Sequence, residues 1–228
     1  FPGATPSTST QQNPTVNYDD WDYVYIFFEG YTNIPINKNK TVRGCYSSFW
    51  LENNLYTPEY IGNSFSKCKG VIFVNDNIAN NIIPYLKNVD HTIIYDSSDD
   101  EIFYPIKNNK SNDFNVIFVG NTERKIKNFK DIVDICKITN VNLIVAKNIE
   151  HDKLVYEYNK ADLCINFSDE EGGPQTFIES ALCEIPMLIR DNISLAKYIP
   201  CFKGKTKNDF IEIINYLKNN KNECVKIG

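Results

Sequence analysis

Residues 161–189 read ADLCINFSDEEGGPQTFIESALCEIPMLI, and this stretch carries the pattern from which the fold can be predicted. Leu163–Phe167 and Met187–Ile189 are short, mostly apolar runs, which are typical of strands buried on both faces of a parallel sheet. Between them, the spacing predicts a helix over Thr176–Cys183, after a Gly-Gly-Pro turn. A strand, a loop, a helix and a second strand in this order indicate an α/β fold.

The same alternation continues on both sides of this stretch. Further apolar runs of strand length are Tyr23–Phe28, Val71–Val74, Thr92–Tyr95, Val116–Val119 and Asn142–Val145. Helical spacing of apolar residues predicts helices over Asp76–Leu86, Lys127–Thr139, His151–Lys160 and Lys207–Asn219. The pattern pauses at the polar segment Ser97–Asn112, which we interpret as a linker between two Rossmann-like halves.

Composition argues against several classes of protein. The chain has 228 residues, of which 42% are hydrophobic, so it can build a sizeable core. Its net charge is −5, whereas a nucleic-acid-binding protein usually has a basic face. No apolar run approaches the roughly 18 residues of a membrane span. The seven cysteines form no CxxC pair, and the two histidines have no ligand-like spacing to them, so we expect reduced thiols and no metal site.

The loop after Leu163–Phe167 has a carboxylate on each side of a flexible turn. Glu171 precedes the predicted helix and Glu179 lies about one turn inside it. The Gly172–Gly173 pair lets a ligand approach the backbone closely, and the N–H groups of Gln175–Thr176 at a helix start can hold an anion. Carboxylates accept hydrogen bonds from hydroxyls, so the order of groups suits a sugar, a diphosphate and a ribose. The alternative is an acidic loop followed by a solvated helical glutamate.

A second candidate loop follows the strand Val116–Val119. Gly120 ends that strand, and Arg124, Lys125 and Lys127 follow before the next helix. A strand–glycine–helix turn at the carboxyl edge of a parallel sheet is a common site for phosphate. The alternative is a solvated basic turn. The GxGxxG fingerprint is absent, which disfavours a nicotinamide cofactor.

Together these stretches resemble one enzyme family. FVGNTERKIKN (118–128) and ADLCINFSDEEGGPQTFIESALCEIPML (161–188) look like the second domain of the family 4 glycosyltransferases (GT4), including the Glu-x7-Glu spacing and Pro186. The resemblance covers residues 114–200 well and residues 65–107 more faintly. Asn121 stands where the family usually has arginine, and Glu184 stands where it usually has glycine.

The resemblance implies a GT-B fold: α/β, with two Rossmann-like domains whose parallel sheets face a cleft, the first domain being reduced. We expect a tail at residues 1–17, a reduced acceptor-side domain at 18–107 and a nucleotide-sugar-binding domain at 108–228. The last helix of the second domain could pack back on the first.

The resemblance also assigns roles to residues. Lys127 is expected to bind the donor diphosphate with help from Arg124, Glu171 to contact the transferred sugar, and Glu179 to bind the ribose. The catalytic candidates are therefore Glu171, Lys127 and Arg124. The loop around Lys147–Asn148 is expected to lie near the base. The donor-binding candidates are Gly120, Asn121, Gly172, Gly173, Gln175, Thr176, Glu179, Lys147 and Asn148.

The implied activity is a retaining, metal-independent hexosyl transfer from a nucleotide-diphosphate sugar, such as a UDP or GDP sugar, to an acceptor hydroxyl. No cofactor is implied beyond that donor substrate, and the acceptor could be a glycan, a lipid or a protein. The alternatives are a non-catalytic nucleotide-sugar-binding subunit and a sugar-nucleotide epimerase of the same fold. We expect a cytoplasmic protein, in the host cytoplasm if the source is viral, with peripheral membrane association left open. The oligomeric state is not predicted.

Overall fold

The computed structural model describes residues 22, 24–26, 39–45, 56–107, 113–172 and 174–225, so the predicted tail at 1–17 lies outside the described residues. The strands are β1 (Val24–Ile26), β2 (Thr41–Cys45), β3 (Gly70–Phe73), β4 (Asp90–Ile93), β5 (Asn115–Val119), β6 (Asn142–Ala146), β7 (Leu163–Asn166), β8 (Met187–Arg190) and β9 (Phe202–Gly204). The helices are α1 (Pro58–Phe65), α2 (Asp76–Ile82), α3 (Phe129–Thr139), α4 (His151–Tyr158), α5 (Gln175–Leu182), α6 (Lys207–Asn219) and α7 (Lys221–Val225). Short 3-10 segments span Ile83–Tyr85, Lys125–Lys127 and Ser194–Lys197.

The strands form two separate parallel sheets, as the sequence predicted. Within the described residues, the first sheet has the order β1-β2-β3-β4 and the second has the order β6-β5-β7-β8-β9. In the second sheet the chain runs outward from β5 to β6 and then returns to β7 on the other side of β5. This reversal creates a crevice outside the carboxyl ends of β5 and β7, which is where open α/β sheets bind ligands.

The second sheet is covered by helices on both faces because its strands are apolar on both faces. In β5, Ile117 belongs to a core cluster with Phe177 of α5, whereas Val116 and Phe118 belong to a cluster with Ile132 of α3. Successive strand side chains point to opposite faces, so one uninterrupted apolar run can bury both layers of helices.

The first sheet packs against α1 and α2. Val71 and Phe73 of β3 are buried with Ile61 and Phe65 of α1 and with Ile78 of α2. Helix α2 therefore buries one face and presents the other away from this core.

Several predicted boundaries differ from the observed ones for local reasons. The helix predicted over Asp76–Leu86 is α-helical only to Ile82, because Pro84 lacks an N–H, and it continues as a 3-10 turn. The helix predicted from Lys127 begins at Phe129, since Asn128 has a left-handed conformation with φ of 49°. The strand predicted over Thr92–Tyr95 instead spans Asp90–Ile93, in register with Gly70–Phe73 of β3.

The sequence prediction missed two strands and two helices. Strand β2 contains Arg43, which is 2% exposed and donates a hydrogen bond from Nη1 to Ser64 Oγ at 3.1 Å. Its guanidinium also lies 5.3 Å from the Phe65 ring centroid. A charged residue and a glycine interrupt the apolar pattern of β2, and β9 has only three residues, so neither produces a clear strand signal. Helices α1 and α7 were also not predicted.

The last two helices that the structure describes, α6 and α7, pack against the second sheet. Phe210, Ile214 and Leu217 of α6 are fully buried in the same cluster as α3, and Cys224 of α7 joins them. The apolar stripe of α6 packs against α3 and β9, because its residues recur at helical spacing on the side that faces this core. A return of the last helix to the first domain stays a prediction.

Candidate active site

The loops after β5 and β7 meet across the crevice in the second sheet. Lys127 Nζ lies 2.5 Å from Glu171 Oε1, with side-chain exposures of 12% and 8%. Both side chains are therefore largely withdrawn from solvent, and the alternative of a solvated basic turn does not hold for Lys127. The pair brings together two catalytic candidates that are 44 residues apart in the sequence.

Glu171 is held by two further side chains from β7 and its loop. Its Oε1 accepts hydrogen bonds from Asn166 Nδ2 at 2.9 Å and from Ser168 Oγ at 2.6 Å, in addition to Lys127. In the part of the chain that the structure describes, Oε2 has no hydrogen-bond partner. One oxygen is thus fixed by the protein, and the other can accept a hydrogen bond from a substrate hydroxyl.

The two loops are also fastened to each other by polar contacts beside this pair. Asn128 Nδ2 donates to Phe167 O at 3.2 Å and to Asp169 Oδ1 at 2.9 Å. The backbone N–H of Asp169 donates to Ile126 O at 3.0 Å, and Arg190 at the end of β8 forms an ion pair with the Asp169 carboxylate. These bonds hold the Lys127 and Glu171 loops in a fixed relative position.

Glu179 is buried inside the second domain's helical layer. It is 3% exposed, and its Oε2 accepts a hydrogen bond from Tyr158 Oη of α4 at 2.8 Å. His151 Nδ1 lies 3.9 Å from Oε1. Burial raises the pKa of Glu179, and the Tyr158 hydrogen bond partly offsets that increase. The alternative of a solvated helical glutamate is therefore excluded.

Helix α5 starts beside Glu171 and has no side-chain cap. Its cap position is Pro174, which cannot supply an acceptor side chain, and Gln175 and Thr176 are its first two residues. Their N–H groups have no partner within the helix, because the first turn of any α-helix leaves such donors. Gln175 is exposed and Gly172 and Thr176 are half-buried, while Gly173 lies outside the described residues.

The remaining candidates lie along the same edge of the sheet. Gly120 has φ of 145°, a left-handed conformation that favours glycine, and Asn121 Oδ1 accepts a bond from Glu123 N at 2.9 Å. Lys147 Nζ pairs with Glu123 Oε1 at 2.7 Å, which links the loops after β5 and β6. Asn148 has φ of 58°. Arg124 is on the exposed side of the turn that leads to Lys127.

The first sheet contributes a residue that the sequence prediction missed. Asn75 follows β3, is fully buried, and caps α2 by accepting a hydrogen bond from Ile78 N at 2.8 Å. Its side-chain amide donates to the backbone carbonyl of Glu171 at 3.3 Å and also to the carbonyl of Gly172. Asn75 therefore connects the first sheet to the loop that carries Glu171.

Other contributing residues had weak sequence signals. Asn166 is the polar residue of an otherwise apolar strand, and a buried amide at the end of such a strand could have indicated a site. Arg190 ends β8 in a comparable way. Tyr158 had no signal, because its apolar ring fits the helical pattern of α4 and only the tertiary structure reveals the partner of its hydroxyl.

The described residues contain neither a metal-binding cluster nor a membrane-spanning helix. No group of three or more His, Cys, Asp or Glu side chains is arranged to hold a metal ion there. Among the same residues, no helix is both long and apolar enough to cross a bilayer. A scan of protein-family models and a search of curated protein sequences found no match.

Comparison with solved structures identified similar folds. Sucrose-phosphate synthase from Thermosynechococcus elongatus is 12% identical, with a TM-score of 0.65 over 82% of this chain and 60% of that one. Anabaena Alr3699/HepE, solved in complex with UDP and glucose, is 14% identical, with a TM-score of 0.65 over 82% of this chain and 64% of that one. TarM is 12% identical, with a TM-score of 0.63 over 84% of this chain and 50% of that one.

These likenesses extend over both sheets and identify the architecture. The chain spans half to about two thirds of the length of the structures that it matches. It has a reduced GT-B fold, with two parallel-sheet units of the Rossmann-like kind, as the sequence predicted. At this level of identity the comparison concerns the fold, and the chemistry has to be argued from the site.

Proposed function

We propose that this chain is a glycosyltransferase that moves a sugar from a UDP-sugar to an acceptor hydroxyl. The observation that carries the proposal is the buried Lys127–Glu171 pair, which joins the loops after β5 and β7 at the switch point of the second sheet. The choice of UDP is supported by the ligands named for Alr3699/HepE, which was solved with UDP and with UDP-glucose. Family 4 membership is part of the same proposal and is supported by the Glu-x7-Glu spacing.

The donor diphosphate would bind between Lys127 and the start of α5. A cationic side chain and two unpaired helix N–H groups, those of Gln175 and Thr176, offer complementary positive charge to the phosphate oxygens. As the bond between sugar and diphosphate breaks, negative charge grows on the leaving group. Lys127 would stabilise that charge in a site that is largely shielded from water, where electrostatic interactions are strong.

The two glutamates would hold the two hydroxyl-bearing parts of the donor. Glu171 would accept a hydrogen bond from the transferred sugar through Oε2, since its Oε1 is occupied by Lys127, Asn166 and Ser168. Glu179 would bind the ribose, with its carboxylate oriented by Tyr158. A bound nucleotide sugar would then lie along the crevice from β7 towards α4.

We further propose that transfer retains the anomeric configuration and needs no metal ion. Both parts follow from the family resemblance, in which protein cations take the place of a metal beside the diphosphate. Lys127, with Arg124 as its helper, would take this role, and both residues belong to the loop after β5. The division into an acceptor-side unit at 18–107 and a donor-side unit at 108–228 belongs to the same proposal.

Calorimetric titration with UDP, GDP and ADP, each with and without EDTA, tests donor binding. We expect UDP to bind with an affinity that EDTA does not change. Turnover is then followed as UDP release from UDP-glucose, in the wild type and in Glu171→Gln. Loss of one polar group aimed at the reacting centre should lower the rate by about 10²-fold while UDP affinity changes little.

Three other outcomes would contradict the proposal. UDP binding without any turnover would favour a non-catalytic binding subunit, and formation of a different UDP-sugar without acceptor would favour an epimerase. Equal turnover by the wild type and Glu171→Gln would remove the Lys127–Glu171 pair from the chemistry.

A further inference from the structure

A polar cavity lies between the two sheets, beside the candidate donor site. It has a volume of about 410 Å³ and is lined by Asn77, Asn80, Asn81, Asp169, Glu170 and Asn192. This volume falls within the range of about 300–1,000 Å³ that is usual for small-molecule pockets. One wall comes from α2 of the first sheet and the other from the loops after β7 and β8.

The α2 wall is a continuous face of amides. Asn77, Asn80 and Asn81 recur at the i, i+3, i+4 spacing, which places them on one side of the helix. The opposite side contains Ile78 and Ile82, which are fully buried in the first core. The packing of the apolar side therefore directs the three amides towards the second sheet.

Three of the lining residues form a hydrogen-bonded connection between the two sheets. Asn77 Nδ2 donates to Asn192 O at 3.2 Å, and Asn192 Nδ2 donates to Asp169 O at 2.7 Å. In contrast, the exposed amides of Asn80 and Asn81 have no hydrogen-bond partner among the described residues. The amides of Asn80 and Asn81 are therefore available to bind a ligand, whereas those of Asn77 and Asn192 are already hydrogen-bonded.

The lining selects for a polyhydroxyl ligand. A primary amide offers two donors and a carbonyl acceptor, which matches a hydroxyl that both donates and accepts. Among the described residues that line the cavity, none is aliphatic or aromatic, so a lipid chain would meet amide and carboxylate side chains in place of the large apolar side chains that bind it best. The charged lining residues, Asp169 and Glu170, are both acidic, which disfavours an anionic ligand.

The cavity is also adjacent to the proposed reacting centre. Glu170 precedes Glu171 in the chain, and Asn75 at the start of α2 contacts the Glu171 backbone. A ligand held by α2 and by the Asp169–Glu170 loop would therefore lie next to the sugar that Glu171 contacts. This is the position from which an acceptor hydroxyl could attack.

We infer that this cavity is the acceptor subsite, that its ligand is a neutral saccharide, and that Asn80 and Asn81 bind it. The inference rests on the proposed function and narrows it, since the acceptor becomes a glycan rather than a lipid or a protein. Asn80 and Asn81 act as specificity-determining residues, and neither is needed to hold the nucleotide.

The test measures saccharide binding to the UDP-saturated full chain by saturation-transfer NMR. The probes are glucose, N-acetylglucosamine and maltose, compared with glucuronic acid, farnesol and a serine-containing peptide. The variant is Asn80→Leu/Asn81→Leu, which removes both amides at similar side-chain size and increases helix propensity, so α2 should remain folded. The control is Asn215→Leu, an exposed asparagine on α6 outside the cavity.

We expect at least one neutral saccharide to bind, and its Kd to rise at least about tenfold in the double variant, because each lost hydrogen bond weakens binding several-fold. The affinity for UDP should be unchanged in the double variant. In Asn215→Leu, the affinities for UDP and for the saccharide should both be unchanged. The inference fails if UDP binds but no neutral saccharide does, if only farnesol or the peptide binds, or if the double variant binds saccharide normally. Absence of UDP binding to the wild type would instead overturn the proposed function, and the inference with it.

Discussion

The side chain of Asn75 donates a hydrogen bond to the backbone carbonyl of Glu171 at 3.3 Å, across the boundary between the two sheets. The same side chain accepts a hydrogen bond from Ile78 N, so one buried amide both caps α2 and holds the loop of the second sheet. The amide group uses its acceptor within the first unit and its donor towards the second. The two functions can therefore be separated by substitution.

Asn75→Asp keeps the capping acceptor and removes the donor, whereas Asn75→Ala removes both. We expect Asn75→Ala to lower the free energy of unfolding by about 1 kcal/mol through loss of the cap. Asn75→Asp keeps the cap, but its buried carboxylate would face the carbonyls of Glu171 and Gly172, so it should cost stability through that repulsion and impair turnover at least as much as Asn75→Ala does. Urea unfolding and UDP release from UDP-glucose measure the two effects, and equal turnover by Asn75→Asp and the wild type would contradict this role.

Lys127 and Lys125 form a matched pair for testing the donor site, since they lie two residues apart in one 3-10 turn. Lys127 is largely buried against Glu171, whereas Lys125 is exposed. Lys127→Met should weaken UDP binding about 10- to 100-fold, because a hydrogen bond to a charged group contributes about 1.5–3 kcal/mol. Lys125→Met should change it little. Titration calorimetry measures both, and similar losses in the two variants would mean that only general positive charge matters.

Glu179 is expected to reduce stability at neutral pH and yet support donor binding. Burial raises its pKa above the usual value of 4.5. The folded state then holds the proton more strongly than the unfolded state does. The stabilising contribution is therefore complete below about pH 4.5 and is lost as pH rises through the higher folded-state pKa.

Glu179→Gln removes this titration and can keep an acceptor for Tyr158. The melting temperature of the variant relative to the wild type should therefore increase as pH is raised from 4.5. UDP affinity at neutral pH should fall, because an amide oxygen is a weaker acceptor for the ribose hydroxyls. Thermal unfolding across pH and calorimetry with UDP measure the two effects. A pH-independent difference in melting temperature, or unchanged UDP affinity, would argue against the assigned environment or role of Glu179.

Gly120 and Gly70 allow a test of backbone conformation near the site. Gly120 has φ of 145°, and an added Cβ would meet Phe118 only at an ordinary distance of 3.5 Å, so any penalty is conformational. Gly120→Ala should cost about 1–3 kcal/mol, which is typical of a residue held in a sparsely populated region. Gly70 in β3 lacks a positive φ and its added Cβ would lie 3.5 Å from Asp90 O, so Gly70→Ala should be nearly neutral. Denaturant unfolding compares them, and equal costs would contradict the explanation.

The sequence by itself determined the architecture and part of the site. Apolar runs such as those of β5 and β7 predict parallel strands, because a strand buried on both faces needs apolar side chains at every position. Since parallel strands end at the same edge of a sheet, the loops that carry Lys127 and Glu171 could be predicted to meet there. Given that architecture, the spacing of Glu171 and Glu179 predicts that both carboxylates belong to the candidate site.

Only the tertiary structure decided what surrounds each carboxylate and what faces the crevice from the first sheet. Tyr158 and Asn75 contact the site through single polar atoms, and such contacts leave no periodic pattern in the sequence. The amides of Asn80 and Asn81 resemble an ordinary solvated helix face until the packing of α2 turns them towards Asp169 and Glu170. Local sequence determines which residues form a helix, whereas the direction of its polar face depends on long-range packing of the opposite face.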